Sequence, residues 1–232
     1  MKRLACILAS AFLTAHASGE GITVQSARGE VSVRHGVTES WTPVGPGDLL
    51  RPHDSMKTGG SGAAVLSVAM PSGTKTMTLP SDVIVDMSDI RDLSQEELML
   101  KLTMEKVRGS GYRWNELDPP IPNAGVIHGT NNGAARGLTE NELRTGRMQL
   151  NGARVLFENG FFSTCVLRSM EVFRLYPDLS TSFEDRLMVA RALEQAKLNG
   201  EALSEYGAMA GLEGLTAEQQ ALVREQMQAL RR

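Results

Sequence analysis

The sequence is poor in the side chains that most often carry catalysis, metal binding or cross-links. It holds two cysteines, four histidines, two tryptophans and three tyrosines. No histidine pair has zinc-ligand spacing, and no phosphate-binding loop of the G-x-x-x-x-G-K-[ST] type occurs. His53 and Asp54 are adjacent, but no nucleophile motif accompanies them, so we interpret both as turn residues. The sequence therefore predicts a protein that is not an enzyme and that uses no cofactor and no metal.

The sequence also lacks hydrophobic runs long enough to span a membrane, but it has a short apolar run near its start. Lys2 and Arg3 precede an apolar run over residues 4–13, and Ala15-His16-Ala17 follows. This order is typical of a secretory signal peptide, whereas a membrane span needs about 20 apolar residues. We predict a signal peptide over residues 1–17 and a protein exported to the periplasm or outer envelope, with no membrane span after cleavage. An uncleaved anchor or a buried N-terminal helix is the alternative interpretation.

Neither an excess of basic charge nor a cysteine pair remains after that cleavage. Loss of Lys2 and Arg3 takes the 24 basic residues to 22, against 27 acidic ones. No part of the chain then carries the basic patch that nucleic-acid binding requires. Loss of Cys6 leaves Cys165 alone, which excludes an intramolecular disulfide. Its apolar neighbours favour a buried role for this cysteine.

Residues 18–132 have the pattern of a compact β-domain. Val31 and Val33 alternate with polar residues, and turn residues separate the apolar segments 62–70, 74–79 and 81–87. Residues 94–108 are ambiguous, because Ser94 and Glu97 are spaced as a helix capping box. Apolar residues nevertheless recur there at every second position, from Leu98 to Met104. We therefore predict a strand over 94–108, preceded at most by a short helical turn.

The first half resembles a FecR-type domain. The pattern consists of a glycine-bounded valine strand, a Trp followed by Pro-Val, a Gly–Leu–Asp–Thr-Gly series and further strands. It is filled here by Gly29, Val31, Val33, Trp41, Val44, Gly47, Leu50, Asp54, Met56, Thr58, Gly59 and Leu66. The segment IPNAGVIHGT, residues 121–130, is similar to the motif that closes the family's domain, although Ile121 and His128 depart from it. The resemblance implies an all-β fold and a compartment outside the cytoplasm, and it places residues 119–132 in the β-domain.

The second half predicts helices. After a connector over residues 133–138, capping boxes begin at Thr139 and Thr216 and a further helix begins at Ser182. Asn159-Gly160, Pro177 and Asn199-Gly200 are interpreted as helix stops. Gly160-Phe161-Phe162 and Cys165 resemble one tetratricopeptide repeat, a class that stacks helical hairpins. We predict a multidomain protein, with an all-β FecR-like domain followed by an all-α tetratricopeptide-like domain over 139–232. An unrelated helical bundle is the alternative for the second half.

The helix after Thr139 supplies the candidate partner-binding residues. Successive rotation by 100° per residue gathers a polar stripe between two apolar flanks: Arg144, Arg147, Asn151, Arg154 and Glu158. In a stacked hairpin such a stripe would line the concave surface, where arginines bind carboxylates. The expected function is an exported adaptor or scaffold that binds another envelope protein. A glycan- or peptidoglycan-binding protein is the first alternative, which the scarcity of aromatic residues disfavours, and an unrecognised hydrolase is the second. A solvated charged face is the simpler interpretation of the stripe itself.

Overall fold

The computed structural model describes residues 21–109 and 138–232. The predicted signal peptide 1–17, the closing segment 119–132 and the connector up to residue 137 lie outside the described residues. Within the described part, a β region comes first and a helical region follows, as predicted for the two halves. No helix in the described ranges is both long and apolar enough to cross a membrane.

The β region forms two four-stranded antiparallel sheets. The strands are β1 (Ile22–Arg28), β2 (Val31–Arg34), β3 (Thr42–Pro43), β4 (Leu49–Leu50), β5 (Ser55–Thr58), β6 (Ala63–Met70), β7 (Gly73–Leu79) and β8 (Val83–Asp86). The first sheet has the strand order β4-β1-β6-β7 and the second has the order β3-β2-β5-β8. The predicted strands at 62–70, 74–79 and 81–87 are therefore confirmed as β6, β7 and β8.

Alternation places one face of each long strand in a common core. Val31 and Val33 of β2 and Val83 and Val85 of β8 are buried, whereas the residues between them are half-buried. Leu66 of β6, on the other sheet, is also fully buried and belongs to the same hydrophobic cluster. Residues on the opposite faces stay accessible, and on the second sheet that outward face carries charged side chains.

The strand predicted over residues 94–108 is wrong. Helix α1 (Gln95–Gly109) occupies this stretch, and the Ser94 hydroxyl accepts a hydrogen bond from the Glu97 backbone N–H at 3.1 Å. Leu98 and Leu102, one helical turn apart, are buried, whereas Leu100 is 63% exposed. The apolar residues at every second position therefore divide between two helix faces. Packing of α1 on the helix α3 (Phe162–Leu175) favours this arrangement, because it buries residues spaced four apart.

Five further α-helices follow within residues 138–232. They are α2 (Glu140–Glu158), α3 (Phe162–Leu175), α4 (Phe183–Gln195), α5 (Asn199–Ala210) and α6 (Ala217–Leu230). Both predicted capping boxes, Thr139 with Glu142 and Thr216 with Gln219, are present. Helix α2 packs on α3, α4 packs on α5, and α6 packs on α5. Consecutive helices therefore pack as neighbours.

One predicted helix stop is wrong. Asn199-Gly200 begin α5, whereas α4 already ends at Gln195. The chain turns at Lys197, whose φ of 62° is left-handed, and the Leu198 N–H donates to the Leu193 carbonyl at 2.9 Å. This is the bonding of a helix C-terminus in which Lys197 stands where glycine is usual, so the sequence carried no glycine signal.

The two halves pack directly on each other. Helix α2 lies against β8, the edge strand of the second sheet, and one hydrophobic cluster includes buried residues from both halves. Gly152 permits this approach, because a Cβ atom there would lie 1.9 Å from the Ile84 carbonyl oxygen. The Asn151 side-chain amide donates to the Asp82 carbonyl at 2.8 Å. Helix α2 therefore covers a strand edge that would otherwise be open to pairing with another chain.

A cluster of ion pairs also joins the β region to the helical region. Arg168 of α3 is 17% exposed and bonds Asp89 at 2.7 and 2.9 Å, Glu171 at 2.9 Å, and also Asp86 at the end of β8. Burial raises the pKa of Asp89, and the Arg168 guanidinium opposes that rise. Three carboxylates around one guanidinium compensate its desolvation, so loss of the arginine would leave them without their shared cation.

Candidate binding cleft

A cleft of about 370 Å³ opens where the outward face of the second sheet meets the N-terminal half of α2. We call it the Trp41 cleft. It is lined from the β region by Glu30, Arg34, Trp41, Lys57, Gly59 and Ile84, and from α2 by Asn141, Arg144, Thr145, Met148 and Gln149. Both halves of the protein therefore contribute to its walls.

Strand alternation aims the charged side chains of the sheet into this cleft. Val33 and Met56 point into the core, so Arg34 on β2 and Lys57 on β5 point outward. Trp41, just before β3, lies beside both cations. The Arg34 guanidinium carbon is 5.2 Å and the Lys57 Nζ 4.7 Å from its ring centroid. Both distances are within the range of cation–π attraction, which orders these side chains around the indole.

The cleft is electrically positive. Arg34, Lys57 and Arg144 contribute three positive charges to its lining, and Glu30 contributes the single negative one. Arg144 also lies 3.6 Å from Asp82, but both side chains are largely exposed, at 67% and 43%. Such an exposed pair is weak, which leaves the Arg144 guanidinium available to an anion.

Two polar atoms in the lining are buried without a hydrogen-bond partner. They are the Nε–H donor of Arg34 and the Oε1 acceptor of Gln149. The other end of Arg34 is anchored, because Nη2 donates to the Ser55 hydroxyl at 3.1 Å and that hydroxyl donates to Asp86 at 2.5 Å. An unsatisfied buried polar group costs about 1–3 kcal/mol. Both atoms are closed off from solvent, so these side chains would have to move before a ligand in the cleft could bond them.

The predicted polar stripe on α2 is divided by the structure. Arg144 lines the Trp41 cleft, whereas Asn151 bonds the β region. Arg154 bonds Asp185 of α4 at 2.7 Å, and Arg147 lies 3.8 Å from the same carboxylate, which is almost fully buried. Of the candidate partner-binding residues Arg144, Arg147, Asn151 and Arg154, Arg144 alone lines this cleft, while Arg147 and Arg154 neutralise a buried acid within the protein.

The sequence pattern did not identify Arg34, Trp41, Lys57 or Gln149 as a site. Alternation placed Arg34 opposite the buried valines of β2, and this was the one available signal. The pairing register of β2 and β5 brings Arg34 and Lys57 to the same face of the sheet, because Ser32 pairs with Lys57 and Arg34 with Ser55 across the two strands. That pairing joins residues distant in sequence, and periodicity within one segment carries no information about it.

Asp54 and Cys165 both have structural roles in the fold. Asp54 accepts the Arg51 backbone N–H at 2.8 Å and bonds His35 Nδ1 at 3.1 Å, rather than its neighbour His53. Its role in the turn agrees with the interpretation from sequence. Cys165 is fully buried, as expected, and burial raises the pKa of its thiol to about 12. Across residues 21–109 and 138–232, no group of three or more His, Cys, Asp or Glu side chains is arranged to hold a metal ion.

Comparisons with protein-family models, with curated proteins and with solved structures found no match. The function therefore has to be inferred from the residues and geometry of the cleft.

Proposed function

We propose that this protein is a non-enzymatic exported adaptor of the cell envelope, which binds an acidic segment of another envelope protein in the Trp41 cleft. The observation that supports this is the cleft itself, in which three cations and an indole ring converge. The proposal includes a FecR-type identity for the β region and a tetratricopeptide-like identity for the helices. The motifs around Trp41 support the first identity, and the packing of consecutive helices as neighbours supports the second.

An acidic peptide fits these groups better than a neutral one. A carboxylate satisfies guanidinium donors through charge-assisted hydrogen bonds, and Arg34 and Arg144 are both guanidinium groups. The side-chain amides of Asn141 and Gln149 in the same lining can bond the backbone amides of the peptide. Apolar peptide side chains would contact the indole and the side chain of Met148.

An acidic glycan is the second candidate, favoured specifically by Trp41. An aromatic ring in a polar cleft is a common platform for a sugar, and sugar hydroxyls both donate and accept hydrogen bonds. Asn141 and Gln149 in the same lining supply side-chain amides for such contacts.

The test is capture of envelope proteins by the immobilised full chain, compared with a variant carrying both Lys57→Gln and Arg144→Gln. Arg224→Gln on the exposed side of α6 is the matched control, because it removes a positive charge far along the chain from the cleft. We expect salt-sensitive capture by the unmodified chain and by the control, and strong loss in the cleft variant. Equal capture by all three proteins would refute the cleft as the binding site.

A parallel assay separates the two ligand classes. The same proteins, together with Trp41→Ala, are pelleted with insoluble cell-wall polysaccharide and titrated with a soluble glutamate-rich peptide. Peptide binding without pelleting supports the adaptor, whereas pelleting that Trp41→Ala abolishes supports the glycan. Variants of the other two arginines of the stripe, Arg147→Ala and Arg154→Ala, are less suitable for this test. Both changes remove a positive charge that neutralises buried Asp185 and would therefore also lower stability.

A further inference from the structure

Helix α1 is apolar on two nearly opposite sides. Leu98 and Leu102, at 1% and 5% exposure, face the core. Leu100 and Met104, at 63% and 47% exposure, lie roughly 160° around the helix from that pair. A helix with two apolar faces is normally packed between two neighbours, and the core occupies the first face of α1.

A second surface continues the exposed face toward α3. A cleft of about 430 Å³ lies between the two helices, with Leu100, Met104 and Leu167 among its apolar lining residues. Its rim is ionic, and the charges there alternate in sign along α1: Glu97, Lys101, Glu105 and Arg108. The face thus combines an apolar centre with charged flanks, which is the usual anatomy of a protein interface.

When a second copy of α1 lies alongside the first in the opposite direction, the negative and positive charges on this side of the helix face each other. Glu97 lies near the start of α1 and Arg108 near its end, on the same side of the apolar stripe. Within one chain Glu97 bonds Arg91 and Arg108 bonds Glu105, but Arg91, Glu97 and Arg108 are more than a third exposed, so these pairs are weak and can exchange for contacts with a second copy. In an antiparallel pair of identical helices, residues of the same flank meet, so Glu97 of one helix approaches Arg108 of the other. Leu100 then packs against Met104 of the second copy, and the two helix dipoles oppose each other favourably.

We propose that α1 is a self-association surface, on which a second copy of this chain docks its own α1 in antiparallel orientation about a two-fold axis near Leu102. The contact is isologous, because the same patch is used by both copies. Since α1 has 15 residues and is therefore about 22 Å long, the interface is small. We expect a weak dimer, with a dissociation constant on the order of 10–100 µM.

Sedimentation velocity of the full chain over a wide concentration range tests this proposal. Leu100→Glu should abolish the concentration-dependent increase in sedimentation coefficient. Leu49→Glu on β4 is the matched control, because Leu49 is 66% exposed and lies on a different surface. Circular dichroism confirms that both variants keep their helix content. A chain that sediments as a monomer at every concentration, or a dimer that Leu100→Glu leaves intact, overturns the proposal.

Charge reversal tests the antiparallel register. Glu97→Arg alone places like charges against Arg108 of the second copy and should weaken the dimer roughly tenfold. Adding Arg108→Glu in the same chain restores opposite charges at both ends of the pair and should recover the original dissociation constant. Failure of the double variant to recover would overturn the antiparallel arrangement.

Discussion

Replacing Gly152 by alanine tests the packing of α2 on the β region most directly. The new Cβ atom would lie 1.9 Å from the Ile84 carbonyl oxygen and 3.2 Å from Val85 Cγ2. Ordinary contact between carbon and oxygen needs more than about 3 Å, so α2 and β8 must separate by about 1 Å. The obstacle is backbone rather than a flexible side chain, and no rotamer change relieves it.

The magnitude follows from three terms. Overpacking costs about 1–3 kcal/mol. Separation also lengthens the 2.8 Å hydrogen bond from Asn151 to the Asp82 carbonyl, whose loss costs about 1 kcal/mol. Alanine in a helix interior returns about 1 kcal/mol relative to glycine. We therefore expect Gly152→Ala to lower the free energy of unfolding by about 1–3 kcal/mol, or the Tm by roughly 2–12 °C in a protein of this size.

Chemical and thermal unfolding followed by circular dichroism measures this change. Gly207→Ala is the control, because Gly207 lies inside α5 and a Cβ there meets nothing within 4 Å. It should stabilise the protein by about 0.5–1 kcal/mol through the same helix preference. Opposite signs for the two glycine variants are the expected result. An unfolding midpoint for Gly152→Ala at or above that of the unmodified protein would refute the described contact.

Three further predictions concern other parts of the chain. Arg168→Met leaves Asp86, Asp89 and Glu171 without their cation and should destabilise the protein by about 3 kcal/mol at neutral pH. Burial already raises the pKa of Asp89, and loss of the opposing guanidinium raises it further above the unfolded value, so the folded variant binds a proton more readily as pH falls. The deficit measured by denaturant unfolding should therefore shrink toward about pH 4, and a deficit that grows there would contradict this account. Cys165, whose pKa burial raises to about 12, should resist alkylation by iodoacetamide at neutral pH until denaturant is added; peptide mass spectrometry that finds it labelled in the folded protein would disprove this. Export should cleave the chain after Ala17, and N-terminal sequencing of the exported protein that still begins at Met1 would defeat the signal-peptide prediction.

The sequence by itself determined the elements whose signals are local. Alternating valines predicted β2 and β8, and the Thr139 and Thr216 capping boxes fixed the starts of α2 and α6, because each signal lies within a few residues of the element it forms. The α1 segment carried both periodicities at once, and packing on α3 decided between them. Similarly, the turn after α4, which ends at Gln195, depends on the left-handed backbone of Lys197, a conformation that a lysine in the sequence does not predict.

The binding cleft, by contrast, was decided by the tertiary structure. Arg34, Lys57 and Arg144 come together only because β2 pairs with β5 and because α2 covers the edge of β8. Periodicity predicted a polar stripe on α2, but it could not tell which arginine would meet buried Asp185 and which would line the cleft. Helical spacing fixes the direction in which a side chain leaves its own helix, whereas its neighbour belongs to another element, chosen when the apolar faces of distant segments are buried together.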